Sequence, residues 1–330
     1  MAGRRQLVGM SREELRTFVQ TLGEPAYRGD QLLEWIYRHG VTEFNAMTNL
    51  PAGLRQRLQE LAVVDTTEVI RRQWDPVDET RKYLLRLADG EIIESVLMTY
   101  RYGYSVCISS QVGCAQGCVF CASTMGGLRR QLTVGEILAQ PLAFWRELGG
   151  AEASLHSVVF MGMGEPLANL DNVLPALRIL HAPRGLNIGY RRMTLSTVGL
   201  VPGIERLARE KLPLTLAVSL HAPNDELRAQ LVPANRRYPL AELMTACRQF
   251  SAQTGRRITF EYVLLAEVND SPALARELAT LLRGLRCHVN LIPYNPVTSR
   301  PWRRPPAARV EAFRALLLQA GIPTPVRRSL

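Results

Sequence analysis

The sequence contains no run of about 18 uncharged apolar residues, which excludes an ordinary membrane-spanning helix and any membrane partner read from one. Its opening stretch, MAGRRQLVGMSREELR, is basic but lacks the long apolar core of a secretory signal, so a cytoplasmic protein is expected. Short-period repeats and low-complexity tracts are absent, which argues against a solenoid or an extended linker. Lysine is scarce, so the excess of 40 basic over 30 acidic residues, a formal charge of +10, is carried by arginine. A guanidinium pairs with phosphate through a planar fork, and an arginine surplus therefore points to a polyanion, nucleic acid before a generic solvated surface. Charge alone fits RNA and DNA equally, and also a merely basic protein.

What is present is an ordinary soluble composition: 47% hydrophobic and 21% charged residues over 330 positions, enough for one large α/β domain with a small appendage. Residues 1–64 read as a helical module, with apolar residues at helical spacing in SREELRTFVQTLG, DQLLEWIYRHG and LPAGLRQRLQELA. Ser11 followed by Glu14 forms a capping box, and Arg28, Arg38, Arg55 and Arg57 are expected on the module's exposed surface. Residues 65–104 turn to period two, with KYLLRL and EIIESVLM flanking Ala88, Asp89 and Gly90, and predict a β-hairpin connector.

Residues 105–330 alternate strands and helices. SVVFMG, MTLST, LTLAVSL, ITFEYVLL and HVNLIPY are nearly continuous apolar runs, as in strands covered on both faces, and TVGEILAQPLAFWREL, VPGIERLARE, LAELMTACRQFSAQ and SPALARELATLLRG separate them as helices. With the strand leading to Cys107, this predicts an α/β fold of about six βα units, a partial (β/α)6 barrel with functional groups just past the strand ends. RPWRRPP (300–306) reads as a rigid basic loop.

Of six cysteines, four crowd between positions 107 and 121. Such crowding is no disulfide framework, and in a cytoplasmic chain it reads as metal-binding or redox chemistry. Cys114, Cys118 and Cys121, in GCAQGCVFC, can give three thiolates to one [4Fe-4S] cubane and leave one iron open. Structural zinc sites use four protein ligands, usually from two separated pairs, and ferredoxins supply a fourth cysteine. The open iron can chelate the amino and carboxylate groups of S-adenosylmethionine and place its sulfonium for reductive cleavage. Three buried or zinc-bound cysteines are the bland alternative.

Candidate ligand-binding residues fall at successive strand ends: Gly164 and Glu165 in MGMGEP, Ser196 in LSTVG, Ser219, Leu220 and His221 in VSLHA, and Asn295 in IPYNP. Taken singly, such a serine is more often a turn or cap, and His221 a hydrogen-bonded structural histidine.

Together with YRGDQLLEWIYRHGVTEFNAMTNLP, ESVLM, VCISSQVGCAQGCVFCAS, FMGMGEPLANLDNV, SLHAPNDELR and LVPANRRY, these segments resemble the RlmN/Cfr family of the radical S-adenosylmethionine superfamily, from about residue 20 to 328. The resemblance implies methylation of adenine carbon 2 in 23S ribosomal RNA and in transfer RNA, a [4Fe-4S] cluster and S-adenosylmethionine as cofactors, and an RNA-contacting N-terminal module. It further implies Glu94 as the proton acceptor and Cys107 as a cysteine assisting resolution through a transient disulfide. Gly164, Glu165, Ser196, Ser219, Leu220, His221 and Asn295 would bind the cofactor, a donor such as flavodoxin would supply electrons, and a monomer is expected. The family pattern continues after its last strand to Ala-Cys-Gly-Gln-Leu, whose cysteine carries the methyl group, whereas this sequence reads VRRSL there and Cys247 and Cys287 do not match that position. Truncation or a degenerate paralogue is therefore expected, and two other functions stay open: an enzyme that cleaves S-adenosylmethionine without methylating, and an RNA-binding protein without turnover.

Overall fold

A computed structural model describes residues 3–150, 155–297 and 299–327. The chain forms two compact units, one of Met1–Val112, Arg130–Met163 and Asn169–Met193, the other of Gly113–Arg129, Gly164–Ala168 and Thr194–Leu330.

The first unit begins with the helical module. Strand β1 (Arg5–Gln6) leads into helix α1 (Arg12–Thr21), where the Ser11 hydroxyl accepts from the Glu14 amide at 3.2 Å and the Glu14 carboxylate accepts from the Ser11 amide at 2.7 Å. This is the expected capping box. Leu15, Phe18 and Val19 of α1 are buried, as are Leu32, Leu33 and Ile36 of helix α2 (Tyr27–Tyr37), and helix α3 (Ala52–Leu61) follows. Strand β2 (Ala62–Val63) then pairs in parallel with β1 and ties the two ends of the module together. Arg28 and Arg55 depart from expectation: both are half-buried, and they donate to the Asn49 and Asn45 carbonyls at 3.0 and 2.7 Å. Loop carbonyls without ladder partners need donors, and a long guanidinium reaches them. Arg38 and Arg57 are exposed.

Strands β3 (Glu68–Trp74), β4 (Arg81–Arg86), β5 (Ile92–Tyr100) and β6 (Gly103–Cys107) run antiparallel, so the expected hairpin (β4–β5) is part of a longer ladder. The short strands β7 (Gln111–Gly113) and β8 (Leu128–Gln131) pair with each other. Helix α4 (Val134–Glu147), capped by Thr133 and Glu136, leads to β9 (Leu155–Phe160), which lies parallel to β6, and helix α5 (Leu170–His181) follows.

In the second unit, strands β10 (Met193–Thr197), β11 (Thr215–Ser219), β12 (Ile258–Leu264) and β13 (Cys287–Pro293) are parallel neighbours in chain order. Helices α6 (Val201–Arg209), α7 (Asp225–Leu231), α8 (Leu240–Thr254) and α9 (Pro272–Leu281) make the crossovers, and α10 (Ala307–Gln319) follows β13. Every residue of β12 is buried, which explains its nearly continuous apolar run. Register places Ser196 beside Ala217, Ser219 beside Glu261, and Glu261 beside Asn290, so one face of this sheet carries a row of polar side chains at the strands' carboxyl halves. Among the described residues no helix is long and apolar enough to cross a membrane.

Candidate active site

The cysteine loop leaves β7 through Gly113, whose φ of +73° and a position where a Cβ would lie 1.9 Å from the Gly127 carbonyl oxygen admit only glycine. The Cys114 amide donates to that same carbonyl at 3.0 Å and shuts the base of the loop. At its tip the Cys121 amide donates to the Cys118 carbonyl at 3.1 Å, and the Thr124 hydroxyl reaches the Cys118 and Cys121 carbonyls at 3.2 and 3.0 Å. Cys118 is buried among Val198, Ala222, Leu231, Val232, Val263 and Tyr294.

Burial pushes the Cys114 thiol up to about 11 and the Cys118 thiol up to about 12. Both are protonated at neutral pH unless a cation supplies the charge compensation that the apolar surroundings withhold, as metal binding does. Among the described residues no three His, Cys, Asp or Glu side chains converge on one ion position. A cubane takes each of three thiolates on a separate iron, whereas a structural zinc ion uses a fourth protein ligand.

The expected strand-end residues belong to the same compact unit as this loop. Gly164 has φ +103°, and the buried Glu165 carboxylate accepts from the Val198 amide at 2.8 Å, the Leu167 amide at 3.1 Å and the Thr197 hydroxyl. The carboxylate thus fixes the turn beyond β10. Desolvation nevertheless pushes it up to about 7. Between its ordinary value of 4.5 and about 7 the folded chain holds a proton that the unfolded chain has released. Unfolding free energy should therefore fall by about 3 kcal/mol as pH rises through that window and level off above it. Glu165→Gln should flatten this slope in urea titrations repeated between pH 4.5 and 7.5.

Ser196 and Ser219 are half-buried on the polar face, and Leu220 is fully buried, its amide donating to the Glu261 carbonyl at 3.0 Å. His221 takes φ +61°, its Nδ1 accepts from the Val263 amide at 3.0 Å, its carbonyl accepts from Asn269 at 2.8 Å, and its ring stands edge-on to Phe120 of the cysteine loop at 4.7 Å. The proton therefore sits on Nε2, and burial, which pulls the ring down to about 3, keeps it neutral. Asn295 follows β13 and is exposed.

Sequence reasoning missed Arg228. Its guanidinium, with no exposed surface, donates to the carbonyls of Val198, Ser219 and Leu220 at 2.5, 3.2 and 3.1 Å and to the Asn235 amide oxygen at 2.8 Å. It thus pins two successive strand-end turns. A basic residue in the acidic helix start NDELR reads as surface, and no periodicity marks it as core.

Residues 108–278 match the Radical SAM superfamily and residues 5–64 match the ribosomal RNA large subunit methyltransferase N-terminal domain. The chain is 54% identical to the probable dual-specificity RNA methyltransferase RlmN of Symbiobacterium thermophilum, over 99% of this chain and 88% of that one. It is 48% identical to the RlmN protein of Moorella thermoacetica, over 100% of this chain and 94% of that one. This chain belongs to the RlmN family. A crystal structure of a radical SAM methyltransferase from Sphaerobacter thermophilus superposes with a TM-score of 0.95 at 49% identity, covering 98% of this chain and 95% of that one. The α/β radical SAM fold expected from the strand runs is therefore the fold of this RlmN-family enzyme, and its cofactors are a [4Fe-4S] cluster and S-adenosylmethionine.

Two further residues singled out by the RlmN resemblance lie in the first unit. Glu94 on β5 is partly exposed and pairs with Lys82 at 3.0 Å. Cys107 ends β6 opposite Val96, so Glu94 stands diagonally across the ladder from it. The Ser95 hydroxyl donates to the Cys107 carbonyl at 2.8 Å, and the Ser109 hydroxyl to the Glu94 carbonyl at 2.7 Å. Desolvation, with the Glu94 charge adding, pushes the Cys107 thiol up to about 12. Cys247 on α8 and Cys287 on β13 are buried core thiols.

Proposed function

We propose that this enzyme methylates carbon 2 of an adenine in RNA, with 23S ribosomal RNA and transfer RNA as the substrate class. Cys114, Cys118 and Cys121 hold the cluster, and Gly164, Glu165, Ser196, Ser219, Leu220, His221 and Asn295 bind S-adenosylmethionine. The observation that carries the reading is that the cysteine loop and all seven strand-end residues belong to one compact unit, with Phe120 of the loop seated against His221. When bound, the cluster supplies one electron that cleaves a carbon–sulfur bond of S-adenosylmethionine.

The chain's own groups do the rest. Glu94, partly exposed and paired with Lys82, takes the proton that leaves carbon 2. Cys107, protonated at rest, becomes a nucleophile only after losing its proton, and a disulfide on it would take its second sulfur from the methyl-carrying cysteine that this sequence does not contain. The N-terminal module contacts RNA through Arg38 and Arg57, since Arg28 and Arg55 are spent on loop carbonyls. A low-potential carrier such as flavodoxin supplies the electron, and the enzyme works as a monomer in the cytoplasm.

Anaerobically reconstituted protein given S-adenosylmethionine, a reductant and either 23S fragments or transfer RNA should yield 2-methyladenosine and 5'-deoxyadenosine by mass spectrometry. Deoxyadenosine without methylated base would restrict the activity to cofactor cleavage. Neither product, with the cluster intact, would overturn the reading.

A further inference from the structure

The cysteine loop is held from a second, sequence-distant segment. In the chain that follows β13, Arg300 donates through Nη2 to the Cys121 carbonyl and to the Thr124 hydroxyl oxygen, both at 3.2 Å. Trp302 donates through its indole N–H to the Val119 carbonyl at 3.1 Å and packs against the apolar cluster that encloses Cys118. Thr124 in turn reaches the Cys118 and Cys121 carbonyls, so two side chains from RPWRRPP and one hydroxyl occupy the backbone oxygens around two of the three thiols.

This arrangement goes beyond what loop closure needs. The two oxygens that accept from the Arg300 Nη2 are neutral, and its buried Nε has no hydrogen-bond partner among the described residues. A half-buried cation beside a cysteine loop, with a donor to spare, fits an anionic group: three thiolates on a cubane leave a net negative charge that grows by one on reduction. Charge, hydrogen bonding and solvent exposure near a cluster set its potential, and groups that orient its ligands set its retention.

We propose that Arg300 and Trp302 form a positioning strap that holds the cysteine loop in its cluster-bearing shape, with the Arg300 charge favouring the reduced cluster. The proposal rests on the cluster assignment made above. It also gives the basic loop a purpose other than contact with RNA. Asn295, the last of the proposed cofactor-binding residues, lies on the same stretch of chain, so cofactor seating and loop order share one segment.

The test uses anaerobic holoprotein with Arg300→Gln, Arg300→Lys and Trp302→Phe. Two quantities are read, the cluster midpoint by EPR-monitored redox titration and the rate of iron loss to a ferrous chelator. Arg300→Gln should lower the midpoint, and Arg300→Lys, which keeps the charge, should restore most of it. Trp302→Phe keeps an aromatic side chain but loses the hydrogen bond to the loop and part of the indole's packing, so iron release should quicken on the order of tenfold with the midpoint little changed. Unaltered far-UV circular dichroism establishes that the variants fold. Cluster-bearing variants that match the parent in both measures overturn the strap alone, whereas a parent protein that takes up no iron overturns the cluster assignment on which it rests.

Discussion

Replacing Arg228 with methionine should lower the free energy of unfolding by about 4 kcal/mol and weaken S-adenosylmethionine binding more than tenfold. Methionine fills much of the same volume, so the loss is one of pairing. Three main-chain carbonyls and the Asn235 amide oxygen now accept from this guanidinium, and in the variant they stay buried without donors. Each such orphan costs about 1–3 kcal/mol, and relaxation of the turns recovers part of the sum. Burial pulls the guanidinium down to about 10, which leaves it charged at pH 7. Arg228→Lys should rescue little, because one ammonium cannot reach acceptors spread across two turns. Urea unfolding and equilibrium dialysis with labelled cofactor check the two halves. A methionine variant within about 1 kcal/mol of the parent would show the network to be ornamental.

The site's outline was legible because its chemistry is linear in sequence. Three cysteines within eight positions share a loop whatever surrounds them, and residues just past apolar runs fall at strand ends by the geometry of parallel sheets. All five apolar runs are strands, each ending within a residue or two of the expected place. What stayed hidden depends on contacts across distance. β1 and β2 have two residues each, too few to show a period. β3 is mostly exposed and has an irregularity between Val69 and Arg71, so its alternation is broken. α10 has its apolar residues on every side, so it shows no single stripe. Arg28, Arg55, Arg228 and Arg300 all looked like surface cations, yet each ends on backbone carbonyls. An arginine-rich sequence with little lysine thus overstates the charge free for a nucleic acid. Some of its guanidiniums are internal donors, a role for which five N–H groups on a flat fork suit arginine alone.

Alanine at Cys114, Cys118 or Cys121 should abolish the visible absorbance of the reconstituted protein and reduce its iron from about four per chain to near zero, while alanine at Cys247 or Cys287 should leave both intact. Thiol acidity does not make this distinction: burial raises Cys114, Cys118, Cys247 and Cys287 alike, to about 11 or 12. Geometry does. Cys247 sits on a helix and Cys287 inside a strand, each committed to regular backbone and to the core, whereas the triplet occupies a loop held in shape by its glycine root and by Thr124 and Trp302, which donate to its carbonyls. Cys107 provides the sharper contrast. Its removal should spare both the cluster and the cleavage of S-adenosylmethionine to 5'-deoxyadenosine, because it ends β6, outside the loop that carries the triplet. If a triplet variant kept its iron, or a Cys247 variant lost it, the cluster would lie elsewhere, and the roles given to the strand-end residues around the loop would fall with it.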